Sequence, residues 1–250
     1  MAEFKLPTET VKLPSKGLVY PKENPLSSGE IEMKYMTAKE EDILSNTNYI
    51  QQGIVFDKLF QSLIISKINY DDLVIGDKDA IMIAARILGY GKNYEVQVDH
   101  PQTGEKEDFI IDISEFKEKP LDLSLFDNKN EFHFVLPNTK NEVSFKLLTH
   151  ADEKIIEKEI KAQKKINVSS EITLRLKQQI LSVNGNTDKK VIREFVDTAL
   201  LAADSIELRK YINKISPGVD MTFTFTSKVD GYVEEGVSLP MNLTFFYPKL

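Results

Sequence analysis

Apolar residues recur at helical spacing over two long blocks of the chain, and in three other places they alternate with polar ones. Thr37-Ala38-Lys39-Glu40 has the form of a capping box and opens a short helix through Leu44. Ile50, Ile54, Leu59 and Leu63 predict a longer helix from Tyr49 to Ile65. Another is predicted from Asp77 to about Gly89, closed by Gly89-Tyr90-Gly91. Tyr94, Val96 and Val98, then Phe109, Ile111 and Ile113, alternate with polar residues on either side of HPQTG, which predicts a hairpin with one buried face. A second hairpin is predicted from Phe132 to Leu148, turning at Pro137-Asn138-Thr139-Lys140.

Thr149-His150-Ala151-Asp152 caps the next helix, whose Ile155, Ile156, Ile160 and Ala162 form one stripe. Helices are then expected from Ser170 to about Leu181, from Thr187 to Leu201, and from Asp204 to Ile215, the last opened by Asp204-Ser205-Ile206-Glu207 as a capping box. Pro217-Gly218 ends the helical run. Met221, Phe223 and Phe225 begin a strand that turns around Val229-Asp230-Gly231, and Val237, Leu239, Met241, Leu243 and Phe245 bring the chain back. Pro7, Pro14, Pro21 and Pro25, with Gly17 and Gly29, forbid a long helix near the start. They predict an extended arm over residues 1–36 that docks on a partner. Two further segments follow, 37–130 with the first hairpin and 131–250 with the other two, able to form one unit. Helical segments interleaved with antiparallel hairpins make the fold class α+β.

Composition narrows the function. With 250 residues and 41% of them hydrophobic, the chain can bury a large core. Its 32 basic and 39 acidic side chains leave a net charge of -7, which disfavours binding to a nucleic-acid backbone. There is no Cys, so a disulfide or thiolate metal site is excluded. The first residues lack the apolar stretch of a signal peptide, and patches such as Leu63-Ile64-Ile65 are too short to span a bilayer. The expectation is a soluble, cytoplasmic protein with no membrane contact.

One near-repeat stands out. Setting Gly104 over Gly231 aligns VQVDHPQTGEKEDFIIDI with FTFTSKVDGYVEEGVSLP, strand on strand and tip on tip. In a zinc-ribbon knuckle, C-P-x-C-G, two thiolates three positions apart converge on one metal while the Gly supplies a positive φ. The corresponding positions here are His100 and Thr103 in the first tip, and Ser227 and Asp230 in the second. Thr and Ser are poor zinc ligands, so no metal is expected. The alignment predicts that the tips of two degenerate ribbon-like hairpins meet, held by packing and polar contacts.

Other chemistry is sparse. The three His residues, His100, His133 and His150, are far apart and lack metal-ligand spacing. His150, beside a helix N-terminus, is expected to stay neutral. Gly89, Gly91 and Gly185 read as turns, since no phosphate-cradle spacing surrounds them. Ser182, Ser205 and Ser216 lack a nucleophile elbow. The pairs Glu40-Glu41, Asp71-Asp72 and Glu234-Glu235 read as solvated surface, and EKIIEKEIKAQKK, from Glu153 to Lys165, reads as a solvated helix with Glu157 and Lys161 paired. No catalytic residue and no cofactor is expected.

Several stretches carry a resemblance: LPSKGLVYP, KYMTAKEEDILSNTNYIQQG, SVNGNTDKKVIREFVDTALLAADSIELRKYINKISPGVDMTF and LPMNLTFFYP. Together they are similar to the baseplate hub subunits of T4-like contractile-tailed phages, over essentially the whole chain. The resemblance implies a non-enzymatic structural or assembly protein of the tail baseplate hub, present in the host cytoplasm during assembly and in the virion. It implies other hub proteins, or another copy of the chain, as partners. The arm residues Leu13, Pro14, Ser15, Lys16, Gly17, Leu18, Val19, Tyr20 and Pro21 are then the candidate contacts. Two alternatives stand beside it: a transient chaperone of hub assembly that is absent from the finished virion, and a degenerate zinc-ribbon module for nucleic acid.

Overall fold

The computed structural model describes residues 6–100, 102–164, 170–239 and 241–247. Residues 1–5 of the arm, Pro101 in the first tip and Lys165 at the end of the charged run lie outside them. The chain is α+β, with eight α-helices and small antiparallel sheets among the described residues.

The Pro-rich segment opens as Thr8–Lys12 (β1), which pairs antiparallel with Glu30–Lys34 (β2). Between them the chain loops back over its own interior. Leu13 is 1% exposed, Val19 and Leu26 are equally buried, and all three join the main apolar core. A carboxylate from the central helix, Ile75–Tyr90 (α4), fixes this loop. Asp77 accepts the Ser15 N–H at 2.8 Å, the Ser15 hydroxyl at 2.7 Å and the Tyr20 hydroxyl at 2.6 Å. The same Tyr20 oxygen accepts the Val74 N–H at 3.1 Å. Burial raises the Asp77 carboxyl above its ordinary range, and the three donors oppose that shift.

Before α4 come Ala38–Leu44 (α1), Thr47–Gln52 (α2) and Val55–Leu63 (α3). The single helix expected from Tyr49 to Ile65 is two, because Gly53 adopts φ 75° and ends α2 with a left-handed turn. Asn46 supplies the α2 cap, accepting the N–H groups of Asn48 and Tyr49. Glu40 of α1 is fully buried, where it takes the Thr37 N–H at 2.9 Å, Lys34 Nζ at 2.9 Å and the Ser62 hydroxyl at 2.6 Å. It is therefore not the solvated residue its Glu-Glu context suggested.

Asn93–Asp99 (β3) and Lys106–Asp112 (β4) form the first hairpin, and Lys117–Glu118 (β5) follows. Phe132–Val135 (β6) and Glu142–Phe145 (β7) form the second hairpin, turning where Pro137 to Lys140 predict. The sheet gains a third strand, Ile180–Val183 (β8), beyond His150–Lys164 (α5) and Glu171–Gln179 (α6). The helix expected to reach Leu181 stops at Gln179, because Ile180 turns extended and the β-favouring ILSV pairs with β7.

Lys189–Thr198 (α7) and Ala202–Ile215 (α8) complete the helices. The capping box expected at Asp204 is not formed, since Leu201 occupies the N-cap. Asp204 instead accepts the N–H and side-chain donors of Asn138 and Thr139, at 2.8 to 3.0 Å, and so ties the β6–β7 turn to α8. Burial alone would raise its carboxyl, but these donors hold it at about 2.

Val219–Asp220 (β9) pairs with β5, and Thr222–Thr226 (β10) with Val233–Ser238 (β11) makes the last hairpin. The return was expected to run extended to Phe245. It leaves the strand after Ser238 and closes in a 3-10 turn, Leu243–Phe246. There Phe245 and Phe246 are fully buried, and the Arg86 guanidinium of α4 donates to the Phe245 carbonyl at 2.9 Å. One apolar cluster thus runs from Leu13 to Phe246 and joins all three sequence segments.

Candidate functional site

The two aligned hairpin tips have the same backbone construction. In the first, His100 N–H donates to Glu105 O at 2.7 Å and Gly104 N–H donates to His100 O at 2.8 Å. In the second, Ser227 N–H donates to Tyr232 O at 2.8 Å and Gly231 N–H to Ser227 O at 3.1 Å. Gly104 and Gly231 have φ of 71° and 76°, the left-handed conformation that closes each turn. The side chain at the first ligand position of each tip accepts the amides two and three positions on in the same way. His100 Nδ1 takes the Gln102 and Thr103 N–H groups, both at 3.3 Å, and Ser227 Oγ takes those of Val229 and Asp230, at 3.1 and 3.5 Å.

The tips meet. His100 Nδ1 acts as an acceptor, which assigns the ring proton to Nε2, and Nε2 lies 3.3 Å from Asp230 of the other tip. The His100 ring, 2% exposed, packs on Tyr232 with centroids 5.2 Å apart. Glu107 of β4 accepts the Ser227 hydroxyl at 2.6 Å and the Lys228 N–H at 2.8 Å. The Ser227 hydroxyl, followed by the Lys228 amide, holds the Glu107 carboxyl below its usual range. Asp230 is also lowered, first by the Tyr232 N–H. Further down the hairpins, Phe109 packs against Phe223 and Phe225, each at 5.8 Å.

The four ligand-equivalent residues are engaged in hydrogen bonds of their own. His100 and Asp230 touch, Ser227 turns to Glu107, and the Thr103 hydroxyl accepts the Glu105 N–H at 3.2 Å. Among the described residues, no group of three or more His, Cys, Asp or Glu is placed to hold a metal ion. Glu107 and Tyr232 escaped the sequence reading. The alignment of the two tips does not single them out, since it sets Glu107 over Glu234 and Tyr232 over Glu105.

His133 lies exposed on β6. His150 is buried with its ring against Tyr70 at 4.6 Å and its Nδ1 3.2 Å from Lys78 Nζ. Burial, then the Lys78 charge, push its pKa down, which favours the neutral ring.

Of the nine arm residues, Leu13, Pro14, Ser15, Gly17, Val19 and Tyr20 are buried in the chain's own fold. Leu18 is partly covered, and Lys16 and Pro21 alone of the nine face solvent. The Pro and Gly spacing that suggested a docking arm here belongs to a loop packed on the chain's own core.

Over residues 7–246 the sequence matches the family described as T4 bacteriophage base plate protein. The chain belongs to that family. No curated protein and no solved structure matches the chain significantly. As a phage base plate protein it is a structural component of the tail that acts with other base plate proteins, a role that calls for surfaces more than for reacting groups. No helix among the described residues is long and apolar enough to cross a membrane. Three of the most exposed large apolar side chains of this base plate protein lie on the paired hairpins: Val229 at 70%, Ile110 at 60% and Val233 at 53%.

Proposed function

We propose that this base plate protein works in the central hub of a contractile tail, joining other hub proteins through contacts made by its paired hairpins and without catalysing a reaction. The observation that carries the reading is the contrast within that module. Its inner side is closed by Phe109, Phe223, Phe225 and the His100–Asp230 contact, while Val229, Val233 and Ile110 face outward. Rigid hairpins that present apolar side chains to water suit protein recognition. The acidic balance, -7, supports a protein partner over nucleic acid.

The chain is made in the host cytoplasm and enters the tail as the hub forms. Quantitative mass spectrometry of purified virions tests this placement. Copies stoichiometric with the other hub proteins support a resident component. Absence from virions, combined with presence in hub assembly intermediates, assigns the transient chaperone role instead.

A further inference from the structure

The β1–β2 ladder has a fixed parity. Tyr35 N–H donates to Pro7 O and Leu13 N–H donates to Gly29 O, so the odd-numbered residues of β1 bond to β2. Thr8, Thr10 and Lys12 therefore turn their backbone N–H and C=O groups the other way, and no further strand pairs with β1 among the described residues. That free edge lines an open groove of about 520 Å³. The groove is also lined by Ala80, Ala84 and Ile87, a stripe at i, i+4, i+7 along α4.

Those three residues are only partly covered, although the stretch from Ala80 to Leu88 is apolar at every position but Arg86. Glu118 of β5 lines the same groove. Lys119 N–H bonds Gly218 O, which gives β5 a matching parity and turns the Glu118 backbone groups away from β9. Two strands, each with outward-turned backbone groups, thus line one groove over a floor of small apolar side chains.

We infer that this groove takes an extended segment of another base plate protein, which adds as a strand to the free edge of β1. Unpaired backbone donors and acceptors in a row select a polypeptide strand, because only a second backbone answers them at strand spacing. Ala80 and Ala84 leave room for large apolar side chains on the inward face of that segment. Glu9 and Glu118 both line the groove against the single Lys12, so the segment carries a Lys or Arg to meet them. The choice of partner rests on the functional reading above, whereas the edge and the groove do not.

The test uses the full chain with each purified base plate protein of the same phage in turn, and reads amide hydrogen exchange together with affinity. Thr10→Pro removes an N–H that the β1–β2 ladder does not use, so the variant should keep its thermal midpoint. Ala84→Glu fills the floor as an independent block. The inference expects the Thr8, Thr10 and Lys12 amides to become protected in one complex, and both variants to weaken that complex at least tenfold. A complex that leaves those amides exchanging freely and tolerates both variants overturns the groove while leaving the hub reading intact. Binding by none of the proteins sinks the hub reading and this partner together. Protection that rises with concentration of the chain alone assigns the groove to a second copy and overturns the proposed partner.

Discussion

At the residue scale, buried carboxylates organise the molecule. Asp77 gathers Ser15 and Tyr20 from a segment more than fifty positions earlier, and removing either hydroxyl takes one of two hydrogen bonds from a buried carboxylate oxygen. Tyr20→Phe also strips the Val74 N–H of its acceptor. It should lower unfolding stability in urea by about 1–3 kcal/mol without changing the cooperativity of the transition. Asp79, on the same helix, behaves in the opposite sense to Glu40. Burial, only partly offset by the Val219 N–H and Lys119, pushes the Asp79 carboxyl from 3.8 up to about 6. The folded state therefore holds that proton more tightly than the unfolded chain, and stability is lost as pH rises through this window. Asp79→Asn should be more stable than the parent above pH 6, by about 1–3 kcal/mol, with the gain vanishing below about pH 4. Glu40 would be raised by burial, but Lys34, Ser62 and Thr37 lower it from 4.5 to about 2. Its contribution is complete above pH 4.5 and disappears as the pH falls towards 2, so Glu40→Gln should flatten the acid limb of a stability profile. The roles of Asp77 and Asp79 were not visible in the sequence, and Glu40 was placed in a capping box but also read as solvated surface. For Asp77 and Asp79 the partners are distant along the chain, whereas the Thr37–Glu40 capping box was legible and the Ser62 contact of Glu40 was not.

At the element scale, most of the helices and all three hairpins were legible, because each rests on a local period or a turn residue. The misreadings have separate origins. Gly53 breaks one helix into two through its left-handed φ, and β8 forms because ILSV meets an open edge of β7. Tertiary pairing decided the second case, and a sequence window around Ile180 cannot contain it. The arm is the larger lesson. Pro and Gly spacing correctly ruled out a helix, but the same spacing suits a loop packed inward, and Leu13, Val19 and Tyr20 show which it is. Deleting residues 1–30 should therefore abolish cooperative thermal unfolding, since β2 loses its partner and Asp77 is left buried without its donors. A truncated chain that melts like the parent would show the segment to be peripheral.

At the scale of the whole molecule, one apolar cluster links the N-terminal loop, the helices and the C-terminal Phe245 and Phe246, so the surfaces are set on a single framework. The paired tips were the part of the candidate site most visible beforehand. A one-to-one alignment around Gly104 and Gly231 placed His100 opposite Ser227, and the two tips indeed touch through His100 and Asp230. What the alignment could not reveal was the outward side of the module, because exposure of Val229, Val233 and Ile110 depends on how the hairpins pack. The central claim is that these side chains join the protein to its hub neighbours. The direct measurement is the affinity of the purified chain for each purified hub protein, compared between the parent and a Val229→Asp, Val233→Asp variant with an unchanged thermal midpoint. The account predicts a saturable complex with at least one hub protein that the double variant weakens tenfold or more. Equal affinity of parent and variant for every hub protein that binds would contradict it.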